Sequence, residues 1–288
     1  LAVSKDLSGI RVIVTRPLAQ GEPWAKELQQ LGATTLLAPL LELQPVTDDQ
    51  QRQAIKNQIM NFDLYQKAIF VSQNAVNFAL SWLDDYWPQL PTGIEYFAVG
   101  ETTARALQKY GLRVSALTAT ETGAMNSETL LREPELQQVA GEKIIIFRGC
   151  GGRGYMGEIL RERGAHVSYC ELYQRHLPES AKAQFAMASD DQSQHEQQNP
   201  QVTLVALHSG ESLQHYVEVL AQLANDVQAS ALVEKETVKK LQALPVLVPG
   251  ARVADLARAA GFNKVIVAEN ATDKSMTAAL GAYISISC

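Results

Sequence analysis

Gly9-Ile-Arg-Val-Ile-Val-Thr-Arg16 is a short β-branched run opened by glycine and closed by arginine, and Gly141-Glu-Lys-Ile-Ile-Ile-Phe-Arg148 repeats it. Each run leads through a helical stretch to a matching close: Leu28 and Leu31-Gly32-Ala33 in the first copy, Leu160 and Arg163-Gly164-Ala165 in the second, and the two align without a gap. Two more pairs follow. Ala68-Ile-Phe-Val-Ser72 is echoed by Leu204-Val-Ala-Leu-His208-Ser209, and Phe97-Ala-Val-Gly100 by Leu247-Val-Pro-Gly250. A repeat with so long a period means two domains rather than a solenoid.

Working outward, apolar runs of five or six residues alternate with longer amphipathic stretches, the pattern of parallel strands joined by helices. The expected strands are Ile10 to Thr15, Thr34 to Ala38, Lys67 to Val71, Glu95 to Val99, Arg113 to Ala116, Lys143 to Phe147, His166 to Cys170, Thr203 to Leu207, Pro245 to Val248 and Lys264 to Val267, five for each of two sheets. Helices are expected over Gln20 to Leu31, Ala75 to Asp84, Thr102 to Tyr110, Gly154 to Arg163, Ser212 to Ala224 and Val253 to Ala260, several ending at a glycine. Ser189 to Gln201 is polar throughout and reads as an exposed insertion. Pro39 to Leu43 and Glu171 to Arg175 stand at equivalent points of the two copies and read as linkers.

The 288 residues suffice for two domains with their own cores, and the 46% apolar fraction is that of a globular protein. No apolar run approaches the roughly 18 to 20 residues of a membrane helix, and Leu1 to Ser8 has no signal-peptide pattern, so a cytoplasmic location is expected. Cys150, Cys170 and Cys288 have the spacing of neither a disulfide framework nor a zinc site, and the five histidines show no metal spacing. A net charge of −6 argues against wholesale nucleic-acid binding.

Gly149-Cys-Gly-Gly-Arg-Gly154 satisfies G-x-G-x-x-G between a strand and a helix, with Glu171 where a ribose-binding carboxylate would stand. Its first-half copy, Pro17-Leu-Ala-Gln-Gly21, has lost nearly all those glycines, so the broader reading is a turn whose N–H groups face an anion. Similar turns recur at strand ends: Ser72-Gln-Asn74, Gly100-Glu-Thr-Thr103, His208-Ser-Gly-Glu-Ser212 and Pro249-Gly-Ala-Arg252. Each hydroxyl there has a plainer role as a helix cap. The G-x-x-x-x-G-K-[ST], H-E-x-x-H and G-x-S-x-G motifs are absent.

These stretches together resemble the uroporphyrinogen-III synthase family, on Val14 to Pro17, Phe70 to Val76, Ala98 to Ala104, Ile144 to Gly164, Glu171 to Gln174 and Val248 to Gly261. The resemblance implies two flavodoxin-like α/β domains with parallel five-stranded sheets, joined by a two-stranded linker, with the active site in the cleft. It places 1–38 with 176–288 in one domain and 44–170 in the other, with 39–43 and 171–175 crossing. It implies cyclisation of hydroxymethylbilane to uroporphyrinogen III in the haem pathway, with loss of water and inversion of the last ring through a spiro intermediate. No metal or organic cofactor is implied. Tyr173 matches the family tyrosine that would protonate the departing hydroxyl. The substrate's carboxylates would be met by Arg16, Ser72, Gly100, Thr102, Thr103, Arg148, Gly149, Gly151, Arg153, Ser209, Gly210 and Arg252. At Ala251-Arg252 the chain departs from the family's usual threonine. A monomer is expected, with no membrane or nucleic-acid partner and a transient contact with the preceding enzyme. Two other readings stand beside it: a two-domain protein closing on a small anion, and an NAD(P)-dependent oxidoreductase built on the Gly149 to Gly154 turn.

Overall fold

The computed structural model describes residues 6–115, 127–152, 154–195, 202–225 and 231–287. The chain divides into two compact units, Leu1–Glu42 with His176–Cys288, and Leu43–Arg175. Its strands are β1 (Ile10–Val14), β2 (Thr34–Leu37), β3 (Glu42–Pro45), β4 (Lys67–Phe70), β5 (Glu95–Ala98), β6 (Lys143–Gly149), β7 (His166–His176), β8 (Val202–Ala206), β9 (Val246–Pro249) and β10 (Val265–Ala268).

The first unit's sheet runs β10-β9-β8-β1-β2, and its pairs are parallel. This is the doubly wound order in which the chain passes from β1 to β2 on one side and then returns across β1 to β8, β9 and β10 on the other. All of β1 is buried: Ile13 belongs to the apolar cluster on one face, while Ile10, Val12 and Val14 belong to the cluster on the other. That is why Ile10, Val12, Ile13 and Val14 are apolar on both faces rather than on one, with Arg11 the strand's single charged residue.

The second unit's sheet runs β3-β7-β6-β4-β5, and β6 likewise sends Ile145 and Phe147 into one apolar cluster and Ile144 and Ile146 into another. The duplication is visible here: β7, β6, β4 and β5 stand in the order of β2, β1, β8 and β9. The copies differ in where the chain enters.

Three expectations change. Arg113 to Ala116 does not supply a full strand; Val114 makes a single parallel bridge to Tyr96, at the place β10 holds in the other sheet, and Ala116 lies outside the described residues. The fifth strand is instead β3, in the stretch read as a linker, where Val46 N–H donates to the Leu172 carbonyl at 3.2 Å. Glu171 to Arg175, expected as one strand of the two-stranded linker, is extended as the second half of an uninterrupted 11-residue β7. The polar stretch from Ser189 begins inside the helix Ala181–His195, and Ser189 is buried because Ala181, Phe185 and Ala188 carry that face into the core; residues 196–201 lie outside the described residues.

Candidate active site

In doubly wound sheets, ligands settle at the carboxyl ends of the two strands where the crossovers diverge. In the second unit those strands are β6 and β4; Gly149 is the last residue of β6, and Ser72 lies two residues past the end of β4. Tyr173 meets both. Its hydroxyl lies 3.1 Å from Ser72 Oγ. A Cβ on Gly149 would stand 2.7 Å from its Cε2 and 2.9 Å from its Cζ, so only glycine admits the ring. A register shift makes this possible: Arg148 is level with Glu171 but Gly149 with Tyr173, so β7 carries one extra residue and turns Tyr173 to the same apolar cluster as Leu172. Phe78 stacks on the ring at 4.9 Å, and Arg175 stands over it at 5.7 Å.

Tyr173 is fully buried. Ser72, half-buried, is the more accessible member of the pair, and its Oγ also accepts the Ala75 N–H at 3.1 Å as cap of the helix Gln73–Tyr86. An acid acting through this pair would reach a ligand by way of Ser72.

Arg148 is also drawn inward. Only 5% exposed, it approaches Glu171 Oε1 at 3.5 Å and lies against Tyr169, 4.7 Å from the ring centre. Its guanidinium fills the space where a Gly152 side chain would be, with Nη2 overlapping that Cβ position. Glu171, the carboxylate sought for a ribose, is thus engaged by an arginine. Gly151 takes a positive φ of 71°, which suits glycine. Arg153 lies outside the described residues. The turn forms one wall of a cavity of about 520 Å³, to which Arg148, Arg175, Tyr155, Tyr169, Met156 and Val71 contribute. Tyr155, Tyr169 and Arg175 carried no motif in the sequence; they meet because β7 lies beside β6. The pKa of the Cys150 thiol is raised, first by burial and then by the Glu171 charge.

Gly100 starts the helix Glu101–Lys109 with a φ of 91°. Thr102 on its first turn is exposed, but Thr103 is buried and its hydroxyl donates to the Val99 carbonyl at 2.8 Å. The expectation that Thr103 offers its hydroxyl to a ligand is corrected: the helix turns it into the core to close its own backbone.

In the first unit the diverging strands are β1 and β8, followed by Arg16 and by His208-Ser209. Arg16 pairs with Asp273 and donates to Gln20 Oε1 at 3.3 Å. Ser209 caps the helix Gly210–Ala224, reciprocally with Ser212. Arg252 is exposed, and its Nη1 lies 3.7 Å from the Cβ position of Gly210, so it flanks the same turn. His208 packs edge-on to Trp24 with ring centres 4.8 Å apart, and neither ring nitrogen has a hydrogen-bond partner. Burial, and then the Arg16 charge, depress its pKa to about 3, against a weaker opposing contribution from the Ala206 backbone. Among the described residues no three His, Cys, Asp or Glu side chains are grouped to hold a metal ion, and no helix is long and apolar enough to cross a membrane.

The family model for uroporphyrinogen-III synthase HemD matches residues 22–278. The uroporphyrinogen-III synthase of Escherichia coli (strain K12) is 35% identical over 273 residues, covering 93% of this chain and 99% of the relative, and that of Salmonella typhimurium (strain LT2) is 32% identical over 270 residues, with 93% and 99% covered. Among solved structures, a mutant uroporphyrinogen III synthase of Thermus thermophilus aligns with a TM-score of 0.55 at 17% identity over 96% of this chain and 99% of its own. The Helicobacter pylori 26695 uroporphyrinogen-III synthetase aligns with a TM-score of 0.55 at 14% identity over 97% and 99%. The structures share the fold, and the sequence relatives align nearly end to end. The chain therefore belongs to the uroporphyrinogen-III synthase family.

Proposed function

We propose that the proton required to expel the bilane's hydroxyl comes from the Tyr173–Ser72 pair. The chain is an enzyme of tetrapyrrole biosynthesis, and its reaction is cyclisation of hydroxymethylbilane to uroporphyrinogen III. Family membership removes the anion-receptor and oxidoreductase alternatives. The observation that carries the assignment is the 3.1 Å contact between the two hydroxyls at the end of β4.

The terminal hydroxyl leaves as water when protonated, generating an azafulvene cation. Attack by the substituted carbon of the last ring gives the spiro intermediate, which reopens and closes with that ring inverted. Because the bilane also closes without inversion, the protein must favour one folded geometry, which is catalysis by positioning. Ser72 hands a proton outward while accepting one from Tyr173. The carboxylates meet main-chain donors at Gly100, Gly149, Gly151 and Gly210, the hydroxyls of Thr102 and Ser209, and the charges of Arg16, Arg148, Arg153 and Arg252. Each contact at a helix N-terminus contributes roughly 0.3 to 1 kcal/mol. Thr103 builds its turn rather than binding. We also place the protein in the cytoplasm as a monomer that receives its short-lived substrate by transient contact with the enzyme that releases it.

The test is incubation with freshly made hydroxymethylbilane and separation of the product isomers. Isomer III formed faster than spontaneous closure is expected; isomer I alone, at the spontaneous rate, would end this reading.

A further inference from the structure

Tyr169 occupies the strand position two before Glu171, and neither sequence motif nor family match singles it out. Four contacts converge on it. Its hydroxyl donates to the Gly154 carbonyl at 2.8 Å, at the cap of the helix Tyr155–Glu162. Its ring holds the Arg148 guanidinium at 4.7 Å, and the exposed Arg161 lies 5.1 Å from the same ring. Gly157 gives it room: a Cβ there would overlap the hydroxyl oxygen and stand 2.6 Å from Cζ. The ring itself lines the cavity beside the Gly149 to Gly152 turn.

We infer that Tyr169 is a positioning residue for substrate binding, which holds Arg148 beside the Gly149–Gly152 main chain and anchors the Gly154 carbonyl. The inference rests on the synthase reading. Arg148 Nε donates to the Gly149 carbonyl at 3.3 Å and approaches Glu171 at 3.5 Å, contacts made at the guanidinium's edge, while the Tyr169 ring packs against it as a cation–π partner. Tyr169 supplies the flat face, and the missing side chain at Gly152 leaves the space that the guanidinium fills. The hydroxyl fixes the far end of the same turn, so one side chain ties both ends. Tyr169 acts through the turn rather than on the reacting atoms, and its loss should weaken binding and leave the chemical step intact.

The experiment compares Tyr169→Phe, which removes one oxygen, with Tyr169→Leu, which also removes the aromatic face. Expected for Tyr169→Phe is a KM for hydroxymethylbilane raised about fivefold, the worth of one hydrogen bond. For Tyr169→Leu it is about twentyfold or more, with kcat within threefold of wild type in both. Arg161→Gln, on the outer side of the ring, should leave KM unchanged. The same variants titrated with an octacarboxylic porphyrin should show the same graded loss of affinity, a readout independent of turnover. Unchanged KM and Kd in folded Tyr169→Leu, or in Tyr169→Phe if the leucine variant does not fold, would overturn the inference, as would a lowered kcat at unchanged KM. Wild-type protein that makes no isomer III defeats the synthase reading instead, and the porphyrin titration still tests Tyr169 by itself.

Discussion

Replacing Gly149 by alanine tests the construction of the site with one methyl group. The added Cβ would lie 2.7 Å from Tyr173 Cε2 and 2.9 Å from Cζ, where ordinary contact begins at 3.4 Å. The ring must therefore retreat by about 0.7 Å, since overpacked cores relieve such contacts only by moving side chains or backbone. Phe78, stacked 4.9 Å away, stands in one direction of retreat, and the residue is already fully buried. A shift of that size carries the 3.1 Å Tyr173–Ser72 contact beyond hydrogen-bonding range. The expected stability loss is about 1 to 3 kcal/mol from overpacking, with about 1 kcal/mol more from the broken hydrogen bond. Urea unfolding reads the first effect. Separation of isomers from hydroxymethylbilane reads the second, as kcat reduced at least tenfold. A second change sharpens the test: Gly149→Ala with Tyr173→Leu should recover much of the stability and none of the activity. A Gly149→Ala protein with wild-type midpoint and wild-type turnover would refute the reasoning, because it would mean that the ring does not need the space glycine leaves.

Tyr173→Phe should lower kcat by about 10²- to 10⁴-fold, with at most threefold change in KM, and Ser72→Ala should do nearly the same if the proton passes through its hydroxyl. Wild-type kcat in Ser72→Ala would show that Tyr173 acts directly. Thr103→Val should cost about 1 kcal/mol in urea unfolding, since a buried hydroxyl donating to the Val99 carbonyl is lost, while kcat/KM stays within about threefold; a large loss of turnover would return Thr103 to the binding site. His208 stays neutral in the fold down to about pH 3, whereas its ordinary value is 6.5. Between those values the unfolded chain binds a proton that the folded chain refuses, so stability is complete above about pH 6.5 and falls as the pH drops toward 3. The loss amounts to a few kcal/mol, and His208→Leu should flatten the acid limb of a pH-resolved urea series; an unaltered limb would show that other groups govern it.

Most of the architecture was readable before any coordinates. Runs such as Ile10 to Val14 and Lys143 to Gly149 carry apolar residues on both faces because both faces are covered, and a short, largely apolar run opened by glycine has few other uses. Edges were less readable. Glu42 to Pro45 has one half-buried residue among exposed ones, so its pairing beside β7 leaves almost no hydrophobic trace. Val114 shows the reverse, an apolar alternation that forms only one bridge.

The amino-acid sequence by itself determined the duplication, the parallel sheets, the turns at their carboxyl ends and the family, because each is written in local periodicity or in the order of motifs along the chain. The tertiary structure alone decided how those turns are used. Thr102 and Thr103 are neighbours of one type, and helix phase alone turns one outward and the other onto Val99. Arg148 reads as a ligand-facing charge, yet the register of β7 against β6 sets Glu171 and Tyr169 around it and brings Tyr173 onto Gly149. Register is a relation between segments roughly twenty residues apart, and the extra residue that shifts it carries no mark of its own.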